Sequence, residues 1–149
     1  MTEFKRTDSA NEDFRFLVSL LDEELAKRDG DEHAFYHQFN KIENLNQVII
    51  AYANEKPVGC GAFKNYKPQV VEIKRMFVLP GHRGKGIAGQ ILQQLEFWAA
   101  EFNNSTCILE TGKKQPEAIA LYRKSGYKII PNYGQYENVE NSVCMEKKI

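Results

Sequence analysis

The amino-acid sequence predicts an α/β fold, a mixed central sheet of about six to seven strands flanked by about four helices, in one domain spanning 1-149. Three observations lead there. Two long stretches, from Asn11 onward and from Gly84 to Phe102, repeat apolar residues at helical spacing. Short runs rich in Val, Ile, Phe and Tyr lie between and after them, punctuated by Gly, Pro, Asn and Asp. The two kinds of segment interleave, and no repeat, low-complexity tract or linker divides them.

Glu3 to Thr7 reads as a short first strand. Phe14, Leu17, Val18, Leu21 and Leu25 then line one face of an amphipathic helix, which Asp29-Gly30-Asp31 breaks. His33 to Phe39 is expected to form a second, shorter helix. Gln47 to Ala53, the turn Asn54-Glu55, and Lys56 to Lys64 make a hairpin. After a turn at Asn65 to Pro68, a third strand runs from Gln69 to Leu79, and Pro80 ends it because proline cannot donate to a ladder. Gly84 to Phe102 follows as a long helix, with Ala88, Ile91, Leu92, Leu95, Trp98, Ala99 and Phe102 on one face. Thr106 to Glu110 is a short buried strand. Pro116 suits a first helical position, opening a helix that continues to Gly126. Tyr127 to Ile130 and Ser142 to Lys147 complete the sheet.

Composition limits the function. The 149 residues carry 42% hydrophobic and 27% charged side chains, ordinary globular values. Twenty Lys and Arg balance twenty Asp and Glu. A chain-wide electrostatic grip on nucleic acid is therefore not expected. No apolar run approaches the roughly 20 residues that span a bilayer, so no membrane partner is expected either. Met1 to Arg6 is polar and carries Glu3, unlike a cleaved leader. Cys60, Cys107 and Cys144 are odd in number, form no CxxC pair and sit in apolar contexts, which predicts reduced core thiols in a cytoplasmic protein. His33 and His37 stand one helical turn apart near Glu32, too few ligands for a metal site, and no metal is expected.

The segment that carries chemistry runs from Val71 to Leu92: a strand, a Gly-rich turn and a helix. The turn reads Pro80-Gly81-His82-Arg83-Gly84-Lys85-Gly86-Ile87-Ala88. A helix N-terminus offers unpaired N–H groups and about half a positive charge. Gly84 and Gly86 let an anion approach the backbone, and Arg83 and Lys85 add charge, which together describe a phosphate or pyrophosphate site. The turn is not the P-loop, which needs GxxxxGK[ST], and the dinucleotide spacing GxGxxG is not expected in it either.

The pattern Arg83-x-x-Gly86-x-Ala88 follows the strand Glu72-Ile73-Lys74-Arg75-Met76-Phe77-Val78, and Ala118-x-x-x-Tyr122-x-x-x-Gly126-Tyr127 comes about 30 residues later. This combination resembles the GNAT superfamily of N-acetyltransferases, and the resemblance covers almost the whole chain. It implies acetyl-CoA as cosubstrate, with the pyrophosphate on Arg83, Gly84, Lys85, Gly86, Ile87 and Ala88, and His82 a further candidate. It implies a pantetheine arm running beside Met76, Phe77 and Val78, an amide contact from Gln115 where the family often has Asn, and an oxyanion held by a strand N–H.

The same resemblance points to Tyr122 as general acid toward the leaving thiolate. It points to Glu72, at the start of the strand facing the acetyl group, as general base, with Glu110 and a water relay as its competitors. An amine of pKa ~10.4 needs about 4–5 kcal/mol of deprotonation at pH 7, which is why a base is required. Acceptor specificity is expected from His33 to Asn40 and from Asn132 to Ser142, where Tyr133, Gly134, Gln135 and Tyr136 could wall a pocket. The expected reaction is direct acetyl transfer to a primary amine of a small, amino-acid-like molecule. Alternatives are acetylation of a protein Lys or N-terminus, and an acyl-CoA sensor without turnover. Homodimers are common in that family.

Overall fold

The computed structural model describes residues 1–32, 34 and 45–149. Among these are seven strands: β1 (Thr2–Thr7), β2 (Gln47–Ala53), β3 (Lys56–Lys67), β4 (Val70–Val78), β5 (Thr106–Gly112), β6 (Lys128–Ile130) and β7 (Ser142–Lys148). Three α-helices accompany them: α1 (Glu12–Asp29), α2 (Ile87–Glu101) and α3 (Pro116–Lys124). The α/β class is as the sequence predicts. The helix expected at His33 to Phe39, and with it the His33/His37 pair, lies outside the described residues.

Local chemistry sets the helix ends. The Asn11 side chain accepts hydrogen bonds from the Asp13 and Phe14 N–H groups at 2.8 and 3.1 Å, capping α1. Glu12 and Asp13 lie in its first turn and Lys27 and Arg28 in its last, complementing the helix dipole. Helix α2 begins at Ile87 rather than Gly84. Gly84 and Gly86 hold φ of 79° and 81°, in the left-handed region where a right-handed helix cannot form. Strand β3 runs three residues beyond the expected Lys64, which confines the turn to Pro68 and Gln69.

The sheet order is β1-β2-β3-β4-β5-β7-β6. All neighbours pair antiparallel except β4 and β5, which are parallel through the crossover helix α2. Strand alternation sends Ile49, Phe63, Val71, Ile73, Cys107, Leu109 and Met145 to one face. There they pack with Ile91, Leu92 and Leu95 of α2 and Tyr122 of α3. Val48, Ile50, Cys60, Ala62 and Phe77 point to the other face, against Phe14, Leu17, Val18 and Leu21 of α1. The three cysteines are buried and unbridged, and burial pushes the Cys60 thiol up to about 12. No helix among the described residues is long and apolar enough to cross a membrane.

Candidate active site

Strands β4 and β5 pair over three residues only, Val70–Glu72 against Thr106–Ile108. Beyond that point both continue but share no ladder. Along Ile73–Val78 strand β4 keeps its neighbour β3 on one edge, and along Leu109–Gly112 strand β5 keeps β7 on one edge. Two unpaired edges thus face a gap in the middle of the sheet. A β-bulge contributes to the parting: Cys60 opposes Phe77 and Ala62 opposes Lys74, so Arg75 and Met76 together oppose Gly61. Arg75 has φ of 60°, a left-handed conformation that costs a non-glycine residue strain. Its guanidinium holds the bulge to α1 through an ion pair with Asp22 at 2.6 Å.

Two cavities meet in this gap. The larger, about 390 Å³, extends from the Gly-rich turn along β4 and is lined by Met76, Phe77, Val78, His82, Arg83, Gly84, Gly86, Ile87, Ala88 and Gln115 among others. The smaller, about 110 Å³, lies toward β5 and is lined by Asp29, Ile73, Lys74, Arg75, Glu110 and Thr111 among others. Leu21, Met76, Gln115, Ala118 and Tyr122 line both. Tyr122 therefore stands where the two join.

The turn supplies backbone donors more than cationic side chains. Helix α2 starts after Gly86 without a side-chain cap, leaving its first N–H groups free for an anion. Arg83 directs its guanidinium elsewhere. Its Nε donates to the Val78 carbonyl at 2.8 Å and its Nη2 binds Glu24 at 3.0 Å, tying the turn to β4 and α1. Lys85 is exposed and lines neither cavity. Contrary to the expectation that the dinucleotide spacing is absent, Gly84, Gly86 and Gly89 fall at G-x-G-x-x-G, as in dinucleotide-binding folds. In those folds the parallel sheet continues past the turn, whereas here it parts after three paired residues.

Tyr122 is buried, and desolvation followed by the nearby charge of Glu110 holds its phenol protonated well above the ordinary tyrosine range. Glu110 lines the smaller cavity; its Oε2 is buried with no hydrogen-bond partner. Desolvation lifts its pKa to about 7, with the Ser142 hydrogen bond and Lys74 opposing the rise.

Glu72 is placed differently from the sequence expectation of a base facing the acceptor. It is 2% exposed, lines neither cavity and accepts a 2.6 Å hydrogen bond from the Tyr133 hydroxyl. Lys64 and Lys74 lie 3.9 and 4.0 Å away. Tyr133 and Tyr136 likewise turn inward rather than walling a pocket. Tyr136 is buried beside Cys144 and meets Tyr133 edge to face at 5.8 Å. Burial and the Glu72 charge hold the Tyr133 phenol protonated far above its usual range.

The structure thus gathers Met76, Phe77, Val78, Arg83, Gly84, Gly86, Ile87, Ala88, Gln115 and Tyr122 around one cleft, and sets Lys85 and Glu72 apart from its lining. Lys74, Arg75 and the bulge belong to the site without a motif in the sequence that marks them. Two adjacent cations in a largely apolar strand were the available signal. Among the described residues no three His, Cys, Asp or Glu side chains gather in a way that could hold a metal ion.

Residues 13–127 match the family model for the acetyltransferase (GNAT) family. The chain is 37% identical over 104 residues to the IAA acetyltransferase of Azospirillum brasilense, covering 69% of this chain and 68% of that protein. It is 34% identical over 93 residues to the uncharacterized N-acetyltransferase YjcF of Bacillus subtilis, covering 62% of this chain and 64% of that one. Among solved structures, a protein provisionally described as an acyl-CoA N-acyltransferase from Klebsiella pneumoniae superposes with a TM-score of 0.83 at 27% identity, over 99% of this chain and 97% of that one. The PaiA N-acetyltransferase of Thermoplasma acidophilum, solved with coenzyme A, has the same fold, with a TM-score of 0.74 at 18% identity over 100% and 99% of the two chains.

Proposed function

Because the chain belongs to the GNAT family of acetyltransferases, we propose that it transfers the acetyl group of acetyl-CoA directly to a primary amine of a small molecule. The observation that carries this reading is the continuous cleft from the Gly-rich turn, past the unpaired edge of β4, to Tyr122 and Glu110. In this reading the free N–H groups at Gly86, Ile87 and Ala88 hold the pyrophosphate, with Arg83 fixing the turn from behind. Met76, Phe77 and Val78 offer their unpaired edge to the extended pantetheine arm, and Gln115 reaches it from the start of α3. The Thermoplasma relative, solved with coenzyme A, supports a ligand of this class.

Glu110 is assigned as general base in place of Glu72, because its carboxylate reaches the cavity and has a free oxygen. A carboxyl that titrates near 7 is half ionised at neutral pH and still basic enough to accept a proton from an amine. As the amine nitrogen bonds to the carbonyl carbon, Glu110 takes its proton. The carbon–sulfur bond then breaks, and Tyr122 delivers a proton to the departing thiolate. Glu72, held by Tyr133, is assigned a positioning role beside Lys74.

Calorimetric titration with acetyl-CoA, followed by free-thiol release against a panel of amines, tests the reading. Binding together with acceptor-dependent thiol release is expected; absence of binding overturns the assignment of the turn. The kcat of wild type should rise with pH through about 7. Glu110→Gln should lower it about 10²–10⁴-fold at pH 7 and remove that limb. If Glu72→Gln removes the limb and Glu110→Gln leaves it, the base is Glu72.

A further inference from the structure

The smaller cavity carries more charge than acetyl transfer requires. Lys74 lines it with a side chain only 7% exposed. Its ammonium makes no hydrogen bond among the described residues, and its one ion-pair partner there, Glu72, offers Oε1 at 4.0 Å, an oxygen that Lys64 shares at 3.9 Å, while Tyr133 holds Oε2. Arg75 lines the same cavity. Its Nη2 binds Asp22, while Nε and Nη1 are buried with no hydrogen-bond partner. Buried ammonium and guanidinium groups without acceptors are costly, and native interiors rarely leave them so. Desolvation accordingly holds the Lys74 pKa below the usual lysine value.

Across the gap, Glu110 lines the same cavity, and its buried Oε2 is also unpartnered. Asp29 lines the same space, so the walls bear both signs of charge. The volume, about 110 Å³, accommodates a compact head group.

Resting on the acetyl-transfer reading above, we propose that the acceptor is a small zwitterion with an α-amino-acid head, its amine directed to Glu110 and its carboxylate to Lys74. The field of Arg75 reinforces the cationic side without needing to touch the ligand. A protein Lys side chain brings an amine with no carboxylate two bonds away. Filling the cavity with it would strip water from Lys74 and return no acceptor, which selects against such substrates.

The test uses amine pairs that differ by the carboxylate alone: alanine with ethylamine, serine with ethanolamine, methionine with 3-(methylthio)propylamine. Wild type should favour the carboxylate member at least tenfold in kcat/KM. Lys74→Met should abolish that preference by raising KM for the amino acids, lower the kcat of both members alike at pH 7 because Lys74 no longer holds the Glu110 pKa down, and retain acetyl-CoA affinity. Lys74→Arg should restore part of the preference. Equal use of both members by wild type, or a preference that survives unchanged in Lys74→Met, overturns the proposal.

Calorimetry of the amino acids against CoA-saturated protein reads the same contact without turnover. Heat that Lys74→Met removes supports the carboxylate contact even where no thiol is released, in which case only the transferase reading fails. Binding that is absent, or indifferent to Lys74, overturns the contact even where other amines are acetylated.

Discussion

At the scale of single residues, Glu110 links the proposed chemistry to stability. Its folded pKa is raised to about 7 from the ordinary carboxylate range, chiefly by desolvation. Between roughly pH 4.5 and 7 the native state therefore holds a proton that the unfolded chain has released, and stability falls as pH rises through that window. A charged Glu110 costs on the order of 3 kcal/mol above it. Glu110→Gln should accordingly be more stable than wild type at pH 8, with the difference vanishing near pH 4, as urea melts at the two pH values would read. A stability difference independent of pH would show that the carboxyl is not buried as described. That Glu110 and not Glu72 faces the cavity was beyond the sequence for a definite reason. Strand alternation places both on the same face of the sheet. What separates them is Tyr133, 61 positions away in the chain, whose hydroxyl occupies Glu72. Lys74 is illegible for the same reason, since a lysine in a strand reads as a solvated one until its neighbours are known.

Strand β4 shows how an element can be specified in sequence while its function is not. Its existence and span were legible from Val70, Val71, Ile73 and Phe77, and Pro80 marked its end. The bulge was not, because it is a relation between two strands: Arg75 and Met76 set against Gly61. Gly61 is glycine because the space is taken. A Cβ there would lie 2.5 Å from Met76 Sδ, 2.9 Å from Ile91 Cγ2 and 3.0 Å from Leu95 Cδ1. Gly61→Ala should cost about 1–3 kcal/mol through overpacking. Because Met76 lines both cavities, it should also weaken acetyl-CoA binding, measured by calorimetry on the folded variant. Unchanged affinity would mean that Met76 yields away from the cleft. The late start of α2 has a similar origin. Periodicity alone extends the helix to Gly84, and only the backbone angles of Gly84 and Gly86 end it at Ile87.

At the scale of the whole molecule the sheet is two units, β1–β4 and β5–β7, hinged on three residue pairs. Other contacts cross the cleft. Arg28 near the end of α1 forms an ion pair with Glu117 at the start of α3, and the Tyr133–Glu72 hydrogen bond joins the last loop to β4. A ligand lying along both open edges would couple the halves further. Acetyl-CoA at 100 times its Kd should raise stability by about 2.7 kcal/mol, an increase in Tm of roughly 5–10 °C for a domain of this size. A thermal scan with no such shift would show that acetyl-CoA does not bind the folded chain at that concentration. The interleaving of helices and strands made this architecture legible from sequence, whereas the parting of its centre was not, since both strands read as continuous.

That parting has a consequence for the unliganded protein. Backbone amides along the free rim of β4 lack the protection that a continuous ladder would give, so they should exchange with deuterated solvent faster than those shared with β3. A bare rim of this kind is adhesive, a template on which any extended chain can add itself. The supply of the cosubstrate would then govern how long the protein stays dispersed in solution, as well as how fast it works.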